Sequence, residues 1–122
     1  MSSPVETAAH TYIRAAGERD PAARARLLAE CFADDCRFVT RSGMLRGRAA
    51  IDAMIASLLA DPRIASVRLT SAVDAAGTTF RFRSLVVRHD GTSVEFFDCG
   101  ELDAAGKIAT ILVFAGPLAD AT

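Results

Sequence analysis

Asp98 is the residue whose chemistry most needs explaining, because it is a carboxylate set in an apolar stretch, VEFFDCGEL (Val94–Leu102). Burying an ionised carboxylate is costly unless it is paired, hydrogen-bonded or neutralised. The preceding segment, LVVRHDGTSVEFFD, reads as a β-hairpin with Asp90-Gly91 as a two-residue turn. That register sets His89 opposite Thr92, Val87 opposite Val94, Leu85 opposite Phe96 and Arg83 opposite Asp98. Opposed residues on one face have Cβ atoms about 5 Å apart, close enough for an Arg–Asp pair. Such a pair on an apolar face is either the floor of a pocket or a structural salt bridge at the sheet's open end. Spacing alone fits the salt bridge better.

Other reactive side chains offer less. Cys31, Cys36 and Cys99 are an odd number with no Cys-x-x-Cys spacing, and they read as reduced core thiols rather than a disulfide framework. His10 and His89 lie on unrelated segments, so no metal site is expected. Cys99 points away from Asp98 by strand alternation and has no histidine partner, which argues against a nucleophile. Arg37, Arg41, Arg81 and Arg88 read as solvated strand-end residues.

The chain has 122 residues, enough for one domain with one ordinary core, and its formal net charge is −1 with both signs scattered. No basic run points to nucleic acid, and no apolar stretch approaches the length of a membrane span. No hydrophobic signal core follows Met1–Glu6, so a cytoplasmic location is expected.

The elements that must position Asp98 follow from periodicity. Val5, Ala8, Ala9, Tyr12, Ile13 and Ala16 share one helical stripe ending at Gly17. Asp20-Pro21 starts a second helix, as N-cap and first helical residue; this helix buries Leu27, Leu28, Cys31 and Phe32, and Asp34-Asp35 closes it. Cys36–Arg41 alternates as a short strand before a Ser42-Gly43 turn. A third helix runs from about Arg48 to Leu59, stopped by Asp61-Pro62. From Val67 onward, turn signals at Ala75-Ala76-Gly77, Asp90-Gly91 and Asp103–Gly106 divide four strands of about nine residues each. Short loops make these an antiparallel meander, so the fold class is α+β.

At this point the order helix, helix, short strand, helix, meander resembles the NTF2-like superfamily, and most of all its SnoaL-like and ketosteroid-isomerase-like members. The likeness is carried by Tyr12, by LLAECFADDCRF, by GMLRGRAAIDAM and by FFDCGELDAAGKIATILVF. It covers nearly all of residues 1–122 and implies a cone-shaped fold, three N-terminal helices packed on a curved, mainly antiparallel sheet around an apolar pocket, in proteins that are often dimers. In ketosteroid isomerases a tyrosine on the first helix and a protonated aspartic acid on a late strand form the oxyanion hole. Tyr12 and Asp98 fall at those places. The position of the proton-shuttling aspartate matches Thr40, and a threonine hydroxyl is no general base at neutral pH. Limonene-epoxide-hydrolase-like relatives hold water with an arginine between two aspartates, of which Arg83 and Asp98 would be half. SnoaL-like cyclases use an aspartate as acid/base, for which Asp98 is the equivalent.

Extending the hairpin pairing sets Leu102 against Lys107 and Asp98 against Ile111. One face then carries Arg83, Leu85, Val87, Phe96, Asp98, Ile111 and Val113, and the other Phe82, Ser84, Val86, Phe97, Cys99, Leu112 and Phe114. Both faces are apolar and each needs a cover: the helices over the first, a second subunit over the second. The resulting expectation is a homodimeric pocket protein that binds or converts a small, largely apolar organic molecule without cofactor or metal. Asp98 would be acid/base or oxyanion donor, Tyr12 a donor and Arg83 a tuner or anion anchor. Thr40, Leu85, Phe96, Ile111 and Val113 would line the pocket. The alternative is a non-catalytic binding or assembly module with a structural Arg83–Asp98 pair.

Overall fold

The computed structural model describes residues 3–122. Helix α1 (Pro4–Ala16) starts at Ser3, whose hydroxyl accepts the Glu6 amide, and ends at Gly17. Helix α2 (Pro21–Cys31) is capped by Asp20, whose carboxylate accepts the Ala23 amide at 2.8 Å. Helix α3 spans Arg48–Leu59. These three pack against a curved mixed sheet, as the α+β reading requires. Its strands are β1 (Phe32–Thr40), β2 (Gly43–Arg46), β3 (Ile64–Leu69), β4 (Asp74–Ala76), β5 (Thr79–Arg88), β6 (Ser93–Leu102) and β7 (Ile108–Ala115). The order is β2-β1-β7-β6-β5-β3, with β4 also on β5. All pairings are antiparallel except β1 with β7.

Three expectations about elements change. Helix α2 stops at Cys31 instead of running to Asp34-Asp35, and Phe32 begins the strand. Phe32 is fully buried as the first strand residue, and an apolar residue suits a helix end as well, so its character did not distinguish them. The strand expected around Val67–Val73 ends at Leu69, because the Ser71 hydroxyl accepts the Arg83 amide in place of a strand carbonyl. The short β4 then resumes the pairing.

The third change bears on function. The β5–β6 hairpin closes with Arg88 N–H donating to Thr92 O, leaving a three-residue loop, His89-Asp90-Gly91. Gly91 takes φ +88°, the left-handed conformation such a loop needs at its last position. The Asp90 carboxylate holds the loop by accepting the Thr92 amide and hydroxyl. An odd loop length moves the register by one residue, and a one-residue slip sends every side chain of one strand to the other face. Phe82, not Arg83, therefore stands opposite Asp98; Arg83 stands opposite Phe97, Leu85 opposite Glu95 and Ser84 opposite Phe96. On the other side of β6, Val113 rather than Ile111 is opposite Asp98. That pairing has moved by two residues, so β7 keeps its expected face.

The concave face carries Phe80, Phe82, Ser84 and Val86 from β5, Phe96, Asp98 and Gly100 from β6, and Ile111 and Val113 from β7. The convex face carries Arg81, Arg83, Leu85, Val87, Phe97, Cys99, Leu112 and Phe114. Three arginines fix α3 against this frame. Arg48 Nε donates to Phe32 O at 2.9 Å, buried Arg24 pairs with Asp52 at 2.6 Å, and Arg19 donates to Leu59 O at 2.6 Å and to Ile64 O at 2.7 Å.

Gly100 marks a close approach between neighbouring strands. A Cβ there would lie 2.5 Å from Thr110 O and 2.7 Å from Phe80 Cζ, and the ladder is irregular at the next residue, Glu101. Gly100→Ala must push one backbone away from the other, so it is expected to lower unfolding free energy by about 2 kcal/mol or more. Urea unfolding measures this, and a variant within about 0.5 kcal/mol of the parent contradicts the close approach.

Candidate functional site

A cavity of about 210 Å³ lies between the helices and the concave face of the sheet. Its walls come from every layer: Tyr12, Ile13 and Ala16 on α1, Phe38 and Thr40 on β1, Met54, Ile55 and Leu58 on α3, Val67 on β3, Ser84 and Val86 on β5, Phe96 and Asp98 on β6, and Val113 on β7. Nearly all of this lining is hydrocarbon. The polar atoms are those of Asp98, Tyr12, Ser84 and Thr40.

Asp98 is only 1% exposed. Burial pushes its carboxyl up to about 7 from an ordinary 3.8, and hydrogen bonding from Ser84 and then from Tyr12 holds it below where burial alone would put it. The Ser84 hydroxyl lies 3.3 Å from Asp98 Oδ1. Ser84 is itself buried, on the neighbouring strand and diagonal to Asp98. Tyr12 approaches the same carboxyl from helix α1. Its phenol is raised well above the usual value, by burial first and then by the Asp98 charge, so it remains a protonated donor. Edge-on contacts to Phe32 and Phe38, with centroids at 5.6 and 6.2 Å, fix the tyrosine ring. Thr40 occupies the rim, its hydroxyl accepting the Ser42 amide at 3.1 Å.

The structure thus brings together Asp98, Tyr12, Thr40, Phe96 and Val113. It does not bring in the other three residues expected from the sequence. Arg83 is exposed on the convex face and forms no pair with Asp98, because the hairpin loop is one residue longer than expected. Leu85 is on the same convex face for the same reason. Ile111 is on the concave face but fully buried in the core beneath the cavity, opposite Gly100. Ser84 was missed, and it had a signal: it is the one hydroxyl in the strand run FRFRSLVV, and the corrected register turns it toward Asp98. Cys31 and Cys36 are buried, away from the cavity lining, and burial pushes the Cys31 thiol up to about 12.

Comparison with known proteins agrees with this fold. The family model of the SnoaL-like domain matches residues 9–111. Among solved structures, a SnoaL-like family protein from Agrobacterium tumefaciens, proposed to be an isomerase, superposes with TM-score 0.83 at 26% identity. The match covers 95% of this chain and 100% of that one. An NTF2-like protein from Burkholderia xenovorans superposes with TM-score 0.71 at 15% identity, over 98% and 88% of the two chains. A de novo designed protein with a curved β-sheet gives TM-score 0.75 at 18% identity, over 96% and 89%, and shows the fold alone. No curated protein matches this chain.

The shift at Asp98 has a stability consequence with a definite sign. Between pH 4 and 7 the folded protein keeps a proton on Asp98 that the unfolded chain has lost, so stability falls as pH rises through that window and levels off above it. The penalty at pH 8 approaches about 4 kcal/mol. Asp98→Asn removes it. The variant is expected to match the parent near pH 4 and to exceed its stability at pH 8, as read by urea unfolding at both values. Equal parent-minus-variant differences at the two pH values would contradict the buried carboxyl.

Proposed function

We propose that this chain, which belongs to the SnoaL-like domain family, is a cofactor-independent acid/base catalyst acting on a small, largely apolar carbonyl or hydroxyl compound held in the Asp98 cavity. One observation carries the reading: a lone carboxyl balanced near neutrality sits among hydrocarbon walls, with a phenol and a serine hydroxyl as its polar neighbours. Asp98 and Tyr12 are the titratable groups among the described lining residues. That set favours Asp98 as a proton shuttle. Its carboxylate takes a proton from a carbon beside a carbonyl, the electron pair moves to the carbonyl oxygen, and the Tyr12 hydroxyl donates a hydrogen bond to that oxygen. Asp98 then returns the proton to a second carbon, an isomerase-type outcome, or to the oxygen of a second carbonyl that the enolate carbon has attacked, a cyclase-type outcome. In a hydrolase-type outcome it instead takes a proton from a water that attacks carbon as the substrate's C–O bond breaks. The reading in which Asp98 is only a neutral donor needs a second base, and Thr40, which faces the cavity, is not one. The alternative, a non-catalytic ligand-binding or assembly module, loses the structural Arg83–Asp98 pair it invoked, since Arg83 stands opposite Phe97.

The convex face supports a further part of the proposal, a homodimer. Among the described residues no helix covers it, and Phe97 and Phe114 are 39% and 46% exposed beside Leu85, Val87 and Leu112. Three free thiols suit a reducing compartment such as the cytoplasm. In dilute solution light scattering is expected to give twice the chain mass, and Leu112→Glu to weaken the association; a monomer at micromolar concentration would sink the dimer.

Thermal-shift screening of steroids, polyketide-like aromatics, terpene epoxides and fatty acids tests the pocket. A true ligand at a hundred times its Kd adds about 2.7 kcal/mol of stability, while binding confined to charged sugars or nucleotides removes the proposal. With a turned-over ligand, kcat/KM is expected to rise with pH through a midpoint around 7 and to level off above it, as Asp98 ionises. Asp98→Asn should cost about 10²-fold or more, and Tyr12→Phe on the order of 10²-fold. Full activity in Asp98→Asn would falsify the assignment.

A further inference from the structure

The inner cavity, at about 210 Å³, is smaller than the ~300–1,000 Å³ of most small-molecule sites. A second hollow adjoins it. The β1–β2 hairpin and helix α3 enclose a surface groove of about 740 Å³, lined by Ser42, Gly43, Met44, Leu45, Ala50 and Ala53 together with Thr40 and Met54. Thr40 and Met54 also line the inner cavity, so two side chains are all that both hollows share as a wall. Met54 is half-buried, unbranched and free to turn about three bonds, so it can swing aside without moving the backbone of α3. Ala50 and Ala53 are three apart on the helix and leave the groove open where larger residues would close it.

We infer that the molecule held at Asp98 is elongated, and that its apolar tail passes between Thr40 and Met54 into the groove formed by the β1–β2 hairpin and α3. This rests on the Asp98 cavity being the binding site and adds the shape of what binds: a compact oxygen-bearing head and an aliphatic or aryl-alkyl tail. The tail meets Met44, Leu45 and the two alanines, and no charged side chain lines that path. Two other hollows adjoin the cavity. One, under Gly116–Leu118, shares Phe96 with it and carries Arg41 and Glu95 on its rim. The other, between α1 and β3, shares Ile13 and Val67 with it and is lined by His10, Arg14, Glu18 and Arg68. Both are poorer exits for hydrocarbon, because charged side chains line them. Ala53 and Met44 thereby become determinants of tail length.

A series of 4-alkylphenols tests this by isothermal titration calorimetry, the phenol mimicking an enol at Asp98. From 4-methylphenol to 4-hexylphenol the parent is expected to gain about a hundredfold or more in affinity, since each fully buried methylene contributes about fourfold and the open groove buries the tail in part. Ala53→Phe fills the groove from the helix side and Met44→Asp charges it from the hairpin side. Each should cut the hexyl-to-methyl ratio to below about tenfold, with folding of both variants checked by their unfolding transitions. A parent ratio below tenfold, or a parent-like ratio in both variants, overturns the groove while leaving the cavity reading intact. Asp98→Asn should weaken both phenols by a common factor. Absence of binding by every phenol, or binding indifferent to Asp98→Asn, overturns the cavity reading and the groove with it.

Discussion

The position of Gly91 in the left-handed region is the constraint on which the site depends. It lets the β5–β6 connection close in three residues, with Asp90 accepting the Thr92 amide and hydroxyl. Side chains alternate strictly along a strand, so this loop decides which residues of β5 share a face with Asp98. With the loop as it is, Phe82 and Ser84 meet the carboxyl and Arg83 meets solvent. Had the loop been one residue shorter, a guanidinium would have stood beside Asp98 and kept it ionised. The chemistry of the cavity is thus set by a turn at the far end of the hairpin.

Isolation of the carboxyl is the energetic counterpart of that geometry. The hydroxyls of Ser84 and Tyr12 can each donate to a carboxylate or accept from a carboxylic acid. Neither brings a compensating charge. The carboxyl is therefore satisfied in both protonation states, and burial alone raises the free energy of the ionised one. A positive neighbour would have stabilised the fold and removed the balance near neutrality, in keeping with the way sites give up stability for function.

The parts of the fold with local causes were legible in the sequence. Asp20-Pro21 announced helix α2, the stripe from Val5 to Ala16 announced α1, and Asp61-Pro62 bounded α3. Asp98 and Tyr12 stood out because a carboxylate in a strand and the chain's single tyrosine on a helical stripe are conspicuous. Relationships between elements were less legible. Asp90-Gly91 fits a two-residue and a three-residue loop alike, and the difference reversed the facing of Arg83, Leu85 and Ser84. Phe32 is apolar at a helix end and at a strand start alike, so α2 was read as too long. Ile111 was assigned the right face but the wrong depth: it lies fully buried opposite Gly100, where the close backbone approach has no side-chain signature.

Helix α3 is tied at both ends by arginines that reach backbone carbonyls or a carboxylate: Arg48 and Arg24 near its start, Arg19 at its last turn. None of the three lines the cavity. The helix acts as a fixed rail, and the inward residues Met54, Ile55 and Leu58 are interchangeable fittings on it. Exchanging one fitting alters the room inside by its own volume and leaves the rail where it was. A lineage carrying this frame can move from one guest molecule to another by single substitutions, with Asp98 and its two hydroxyl neighbours untouched.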